Sequence, residues 1–486
     1  MEMNEESILA WNIIEKTNAN LFLTGKAGTG KTTFLKRLKE LSPKRMIVLA
    51  PTGIAAINAG GMTIHSFFQL PFSPYVPGTT FGSGEQKRYQ FSKLKRNIIR
   101  SIDLLVIDEI SMVRSDLLDA IDSVLRQYRK RHDLPFGGVQ LLMIGDLHQL
   151  APVVTSQEEQ LLGQYYDTPY FFSSNALKQA GYLTVELKKV YRQQDERFIS
   201  LLNQIRENKA SDATLQALNQ RYIPDFEPPK NSNYIRLTTH NAPAQHINEQ
   251  QLAALSSKAY SFTAEVEDDF PESSYPADFK LVLKPGAQVM FIKNDPQHRF
   301  YNGMIGEVTG FRFDEEGDRI LVHSKDTDED FELEKMEWTN SKYTLNEETK
   351  EIEETVEGKF RQYPLRLAWA ITIHKSQGLT FEHAVIDASR SFTHGQTYVA
   401  LSRCKNLEGM VLSQPLSRSA IISSQTVDSF NSHLASPSTE QIRCLEQQYV
   451  LRCIVELFEF YSLNASYEHL LRCLVEFFMG KYPRVV

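Results

Sequence analysis

The stretch Gly25-Lys-Ala-Gly-Thr-Gly-Lys-Thr32 decides the fold, because it follows an apolar run, Leu21–Thr24, and opens a helical pattern. Glycines in such a turn let backbone N–H groups curl around a phosphate with no Cβ in the way. Lys31 is then placed to neutralise phosphate oxygens, and Thr32 to bind Mg²⁺. The spacing predicts a phosphate-binding loop between a strand and a helix.

A second apolar run, Leu104–Ile107, ends in two adjacent carboxylates, Asp108 and Glu109. Such a pair suits ATP hydrolysis, since Asp108 can hold a hydrated Mg²⁺ and Glu109 can polarise the attacking water. A strand that ends in acids is common by itself. Placed after a phosphate-binding loop in an α/β pattern, it predicts an ATPase.

The chain alternates short apolar runs with helical stretches, which is typical of parallel sheets covered by helices. The first set of predicted strands is Leu21–Thr24, Met46–Ala50, Asp103–Asp108 and Val139–Gly145. A second α/β pattern begins near Tyr191, and its predicted strands are Tyr234–Thr239, His383–Asp387 and Gly409–Leu412. Between them, residues 264–360 hold alternating apolar runs and Gly turns, which predict a small all-β insertion.

Composition is that of a folded globular chain, with 42% hydrophobic and 23% charged residues among 486. The net charge of −7 is local: residues 314–357 carry 17 acidic and 5 basic side chains, and the rest of the chain is net positive. Nucleic-acid binding depends on where the basic groups lie, so the total excludes nothing. Met1–Ser7 lacks the pattern of a secretion signal, no apolar run has a membrane helix's length, and the cysteines form no C-x-x-C pair. We expect an intracellular protein without a membrane partner.

Three further polar positions indicate a motor, because ATP binding alone also occurs in switches and small-molecule kinases. Gln149, in Gly145–Leu150 after an apolar strand, can sense a γ-phosphate. Arg192 and Arg403 lie outside the phosphate-loop domain. A guanidinium carried by a second domain can stabilise the transferring phosphoryl group and link domain closure to the ATP state.

In these residues and the motifs around them, the chain resembles the PIF-type (petite integration frequency) DNA helicases of superfamily 1, class B, neighbours of the RecD-like helicases. The resemblance covers roughly residues 20–412, and its linked Glu-Ile-Ser-Met and Pro-Phe-Gly-Gly-x-Gln segments look like the family's own signature. The stretches that carry it are Gly25–Thr33, Ala50–Ala56, Thr63–His65, Asp108–Met112, Pro135–Gln140, Gly145–Leu150, Tyr191–Gln193, Leu237–Asn241, Leu367–Thr380 and Gly395–Arg403.

The resemblance implies two RecA-like parallel-sheet domains with a small SH3-like all-β insertion and a helical C-terminal tail. The expected bounds are 1–190 for the ATPase domain with an inserted lobe near 66–86, 191–263 and 361–433 for the second domain, 264–360 for the insertion, and 434–486 for a C-terminal hairpin. The hairpin is inferred from a repeat, Leu451–Phe458 and Leu471–Phe478. We expect it to dock on the core, and the alternative is that it binds a partner.

The resemblance also implies ATP-dependent 5′-to-3′ translocation on single-stranded DNA and unwinding of forked duplex or G-quadruplex DNA, in repair, recombination and telomere maintenance. ATP and Mg²⁺ would be the cofactors, and the free chain a monomer. Such a protein is cytoplasmic and nucleoid-associated in bacteria, and nuclear or mitochondrial in eukaryotes. Expected catalytic residues are Lys31, Asp108, Glu109, Gln149, Arg192 and Arg403, with Thr32 and Asp108 on the metal. Expected nucleotide contacts are Gly25, Ala27, Gly28, Thr29, Gly30, Lys31, Thr32, Thr33 and Gly378.

The resemblance also implies a track for the DNA strand, formed by residues at the ends of β-strands. Thr and His side chains and backbone amides there suit contacts to phosphate and sugar, which carry no sequence information. Phe67, Phe68 and Trp369 are candidates for stacking on bases, although Trp369 also fits a core position. The family's adenine-reading Gln is missing from residues 1–20. The expected track residues are Thr52, Gly53, Thr63, His65, Thr239, His240, Thr372, His374 and Lys375.

The sequence alone leaves two other functions open. An RNA-directed helicase of the same superfamily would share the two-domain engine. A DNA-binding scaffold that uses ATP only as a switch is the alternative from a different class of protein.

Overall fold

The computed structural model of the chain describes most of its residues. They are residues 4–458 apart from 72, 78–90, 194, 230–231, 273–274, 296, 298, 315–316, 325–326, 346–351, 389–390 and 392, together with 467, 470–472 and 474–475. Of the inserted lobe expected near residues 66–86, positions 72 and 78–86 lie outside this part of the chain.

A six-stranded parallel sheet forms the first domain, in the order β3-β2-β4-β5-β1-β6. The central strands are buried on both faces, so they are continuous apolar runs rather than alternating ones. The strands are β1 Leu21–Gly25, β2 Met46–Ala50, β3 Met62–Thr63, β4 Leu104–Ile107, β5 Gln140–Ile144 and β6 Leu183–Leu187. The helices around them are α1 Glu5–Lys16, α2 Lys31–Leu41, α3 Gly53–Ala59, α4 Ile64–Phe68, α5 Lys93–Ser101, α6 Ser115–Arg129, α7 Ser156–Leu162 and α8 Asn175–Ala180.

Two helices that follow β6 lead into a second sheet. Helix α9 (Glu196–Arg206) starts at Asp195, whose side chain caps its first turn, and it buries Phe198 and Leu202. Helix α10 (Asp212–Asn219), strand β7 (Ile235–Thr238) and helix α11 (Asn241–Ala254) follow.

The β insertion leaves this second domain after α11. An antiparallel five-stranded sheet, β14-β13-β12-β11-β17, lies beside a three-stranded sheet, β15-β16-β9, and a two-stranded ribbon. The strands are β8 Tyr260–Thr263, β9 Glu265–Asp268, β10 Lys280–Leu283, β11 Gln288–Phe291, β12 Ile305–Asp314, β13 Gly317–Ser324, β14 Glu329–Leu333, β15 Met336–Leu345, β16 Ile352–Gln362 and β17 Leu365–Leu367. The β structure thus extends a few residues beyond both ends of 264–360.

The chain then returns to complete the second domain. Strands β18 (Ala370–Thr372), β19 (Ala384–Ile386) and β20 (Met410–Leu412) join β7 in the parallel order β18-β7-β19-β20. Helix α12 (Gln396–Leu401) is entirely buried between β19 and β20. Two parallel α/β sheets with a β insertion confirm the predicted fold class.

Two helices, α13 (Gln425–Ser432) and α14 (Thr439–Phe458), end the described fold. Helix α14 packs on α1 through the buried Ile442. Leu451 and Phe458, two apolar residues of its repeat segment, are 62% and 69% exposed, so these two side chains are not buried against the core. Most of residues 459–486 lies outside the described part of the chain. Among the described helices, we find none with the length and hydrophobicity that a membrane span requires.

Candidate ATPase cleft and strand track

The phosphate loop joins β1 to α2 with the backbone bends that its glycines allow. Gly28 and Gly30 have φ angles of 79° and 90°, in the left-handed region. The ammonium of Lys31 donates to the carbonyl oxygens of Gly25 at 2.5 Å and of Lys26 at 3.0 Å. Burial lowers the pKa of this amine. The loop therefore holds Lys31 folded back on its own carbonyls, at the position where a phosphate would compete for it.

Asp108 and Glu109 follow β4 at the same edge of the sheet. Glu109 has a φ of 51°, so its backbone turns sharply away from the strand. Burial raises the pKa of Asp108 to about 6, and burial together with repulsion from Asp108 raises the pKa of Glu109 to about 7. These two buried carboxylates repel each other, and a bound cation would reduce that repulsion.

Mg²⁺ fits these residues by donor chemistry. Thr32 and Asp108 offer oxygen ligands at the edge of the cleft. Within the described residues, no group of three or more His, Cys, Asp or Glu side chains is placed to hold a metal. A cation held by Thr32 and Asp108 would take its remaining ligands from water or phosphate oxygens, as Mg²⁺ commonly does.

The loop after β5 carries Asp146 and Gln149, both buried. The amide of Gln149 donates to Asp146 at 3.3 Å, and the guanidinium of Arg206 donates to the same carboxylate at 3.0 Å. Burial alone would raise the pKa of Asp146, but the attraction of Arg206 and Lys31 lowers it well below its usual range. Asp146 is therefore a charged anchor for Gln149.

Arg192 lies against the phosphate loop, because a Cβ on Gly28 would come within 2.4 Å of the Arg192 Cβ. Its guanidinium donates to the carbonyl oxygens of Ser402 (3.4 Å) and Gly378 (3.3 Å). Arg403 is 1% exposed and donates to Val399 and to the Ser402 hydroxyl, both at 2.9 Å. Burial, followed by repulsion from Arg192, lowers the pKa of Arg403 to about 9. Both arginines line the same cleft as Lys31 and Glu109.

Further contacts between the domains involve residues that the sequence did not single out. The backbone N–H of Ala27 donates to the Tyr398 hydroxyl at 3.0 Å, and the Gln377 amide donates to Glu109 at 3.4 Å. Tyr398 and Gln377 lie inside stretches already recognised, Gly395–Arg403 and Leu367–Thr380. Their position in those stretches was the available signal.

The expected strand-track residues divide into two groups. Thr52 and Thr63 cap α3 and α4 by accepting hydrogen bonds from Ala55 and Ser66, both at 3.3 Å. A cleft of about 1320 Å³ links part of the predicted track with the nucleotide groups, and of the track it is lined by Thr52, Gly53, Thr63, His374 and Lys375. The remaining track residues, which do not line it, are His65, Thr239, His240 and Thr372.

Two of the candidates for base stacking are buried. Phe67 and Phe68 are 0% and 2% exposed in the first core, with the ammonium of Lys95 3.3 Å from the Phe67 ring centre. They present no ring face to a strand, because α4 turns its apolar side inward. Trp369 is half-buried and packs against the core of the insertion.

The β insertion forms a further wall of the cleft. Tyr301 is 43% exposed there, and Asn302 donates to Asn58 of α3 at 3.4 Å. Trp338, which lies under the ammonium of Lys293, lines the same wall. The sequence predicted the insertion but gave no signal for which of its residues face the cleft.

A phosphate loop, a carboxylate pair and two arginines of a second parallel-sheet domain, gathered in one cleft, define a two-domain P-loop nucleoside-triphosphatase. The sequence model of the PIF1-like helicases matches residues 3–216. The chain belongs to the PIF1-like helicase family, as the resemblance of its motifs indicated.

Individual relatives agree with this assignment. The ATP-dependent DNA helicase Pif1 of Psychrobacter is 35% identical over 452 residues, which cover 82% of this chain and 66% of that protein. The chain thus spans just under two thirds of that relative's length. A crystal structure of Bacteroides Pif1 with ADP-AlF4 is 42% identical, with a TM-score of 0.81, and the match covers 89% of this chain and 97% of that one. The Bacteroides structure bound to single-stranded DNA has the same identity and coverage but a TM-score of 0.64.

Proposed function

We propose that this protein is an ATP-dependent DNA helicase that translocates 5′-to-3′ on single-stranded DNA. The observation that carries the proposal is the single cleft in which the nucleotide groups, the arginines of the second domain and part of the predicted strand track meet. An enzyme that couples ATP hydrolysis to movement along a DNA strand needs these three sets of groups at one interface between domains that move. The relatives named as DNA helicases support the choice of nucleic acid.

Within the cleft, each group has a distinct part in hydrolysis. The loop amides and Lys31 would bind the β- and γ-phosphates, and Glu109 would orient the attacking water. Arg192 and Arg403 would stabilise the charge on the transferring phosphoryl group. Thr32 and Asp108 would hold Mg²⁺, which neutralises phosphate charge when bound.

Coupling to the strand follows from domain closure. Bound ATP would draw the two arginines toward the γ-phosphate, and hydrolysis would release them, so each domain alternates its grip. The resemblance to the Bacteroides structure is greater for the ADP-AlF4 form than for the DNA-bound form. We infer that this structure represents the strand-free arrangement.

The strand contacts proposed here read the backbone. Thr52, Thr63, His374 and Lys375 offer hydroxyl, imidazole and ammonium groups, which suit phosphate and sugar rather than base edges. We therefore propose sequence-independent binding of single strands, forks and G-quadruplexes, with roles in repair, recombination and telomere maintenance as in the family.

The deciding experiment is unwinding of duplexes that carry a 5′ or a 3′ single-stranded tail. The wild type should unwind only the 5′-tailed duplex, and only with ATP. Lys31→Ala should bind DNA but unwind neither substrate. Unwinding from the 3′ tail would refute the polarity. ATPase stimulation by poly-U above that by poly-dT would favour an RNA substrate, and an ATPase that DNA does not stimulate would favour a switch.

A further inference from the structure

A buried ion pair joins the two parallel-sheet domains near the phosphate loop. Arg206 ends α9 of the second domain, and its guanidinium meets Asp146 of the first domain at 3.0 Å. The two side chains are 9% and 0% exposed. A parallel contact between Glu207 and Lys26 spans 3.8 Å. The end of α9 is therefore fixed to the first domain by charge.

Asp146 also accepts two hydrogen bonds from residues of its own loop. Its carboxylate accepts from the Gln149 side-chain amide at 3.3 Å and from the His148 backbone N–H at 3.2 Å. The orientation of Gln149, which lines the cleft, thus depends on a carboxylate that a residue of the other domain holds in place.

The same carboxylate is electrostatically close to the phosphate loop. Asp146 is the charged group that most strongly opposes the burial-driven lowering of the Lys31 pKa. If Arg206 were absent, a buried and unpaired Asp146 would seek another cation, since an isolated buried charge is strongly unfavourable. After Arg206, Lys31 is the cation that attracts the Asp146 carboxylate most strongly, and it is also the amine that a phosphate needs.

We propose that Arg206 is a positioning residue of the ATPase cycle, which holds Asp146 so that Gln149 stays oriented and Lys31 stays available to phosphate. Arg206 does not line the cleft, unlike Arg192 and Arg403, so it acts through its neighbours rather than on ATP. This inference rests on the proposed ATPase function.

The test is steady-state ATP hydrolysis with saturating poly-dT. Arg206→Met should raise the KM for ATP and lower kcat/KM by about tenfold or more, equivalent to ~1.4 kcal/mol. Arg206→Lys keeps the positive charge and should recover most of the loss. Arg221→Met is the matched control, because among the described residues the Arg221 guanidinium donates to carbonyl groups of its own domain, those of Met410 and Glu408.

A double variant separates positioning from simple structural support. Asp146→Asn combined with Arg206→Met removes both charges, so it should fold even if Arg206→Met alone does not. Its KM should return toward that of the wild type, because an amide cannot capture Lys31. Its kcat should fall below that of the wild type, because Gln149 has lost its charged anchor.

Two outcomes would overturn the proposal: an Arg206→Met enzyme with unchanged KM, or a double variant with wild-type kcat. A lowered melting temperature with unaltered kinetics would show structural support only. A wild type without ATPase activity would instead remove the proposed function, which keeps the two failures distinguishable.

Discussion

The hydroxyl of Tyr398 accepts a hydrogen bond from the backbone N–H of Ala27 at 3.0 Å, which connects α12 of the second domain to the phosphate loop. Gly395 immediately precedes this helix, and a Cβ there would come within 2.0 Å of the Gln149 carbonyl oxygen. The helix ends next to Arg403. One short, buried helix therefore contacts the phosphate loop, the segment around Gln149 and the site of Arg403. A shift of this helix would change the geometry of all three.

Replacing Tyr398 with Phe tests this connection with little change in packing. The variant leaves the Ala27 N–H without its partner, and a typical hydrogen bond contributes about 1 kcal/mol, so ATP affinity should fall about fivefold. Titration with a fluorescent ATP analogue measures this. Tyr182→Phe, on the other side of the first domain, should bind normally. Equal affinities for wild type and Tyr398→Phe would mean that the contact is incidental.

Glu109→Gln should separate binding from hydrolysis. The amide is nearly isosteric but cannot act as a base toward water, so kcat should fall by about 10²–10⁴. Affinities for ATP and for single-stranded DNA should be retained, because neither is assigned to the carboxylate. Glu196→Gln, on the exposed face of α9, serves as control. A variant that hydrolyses ATP at the wild-type rate would transfer the base role elsewhere.

Arg192→Ala and Arg403→Ala should each lower kcat by about 10³ or more, as expected for arginines that stabilise the transition state. Lysine at position 192 should not restore activity, since an ammonium lacks the planar fork. Arg403 is buried and bonded to α12, so its variant also needs a melting curve. Full activity of either alanine variant in a well-folded protein would remove that arginine from the mechanism.

Much of the fold follows from the sequence because its strands are continuous apolar runs. The predicted strand Met46–Ala50 is observed with the same ends, and Val139–Gly145 is one residue too long at each end. Such runs are decisive since a strand covered on both faces must be apolar throughout. The tail was less predictable, because an apolar repeat such as Leu451–Phe458 does not reveal what covers it.

The site was only partly predictable. The structure brings Lys31, Glu109 and both predicted arginines to one cleft. Arg206 escaped attention because a basic residue at the end of an amphipathic helix is most simply explained by the helix dipole. The burial of Phe67 was also unforeseen, since two adjacent aromatics after a turn fit a surface as well as a core. Sequence motifs give the position of a residue along the chain. The Arg206 contact depends instead on packing between the domains, and the burial of Phe67 depends on packing within the first domain.

Stability should depend on pH through His148. Burial, followed by repulsion from Arg206, lowers the pKa of this imidazole to about 4 from the usual value near 6.5. The unfolded chain therefore takes up a proton as the pH falls from about 6.5 toward 4, while the folded chain does not, so stability is lost across this window. The loss should be on the order of 3 kcal/mol for this group at full effect. Melting temperatures from pH 7.5 to 4.5 measure it, and His148→Asn should show a shallower decline. An equally steep decline would assign the effect to other groups.

The charged contacts of the strand track should appear in the salt dependence of DNA binding. Lys375 is exposed at the cleft, so Lys375→Ala should reduce the slope of log K against log salt for single-stranded DNA by about 0.7, the share of one phosphate contact. The pKa of its neighbour His374 is lowered by burial and by His240, so this imidazole is neutral near pH 7. His374→Ala should therefore weaken binding without changing the slope. Lys130→Ala, at the exposed end of α6, should change neither quantity. If Lys375→Ala left the slope unaltered while binding weakened, Lys375 would act by packing, and the strand would take its charge contacts from another part of the cleft.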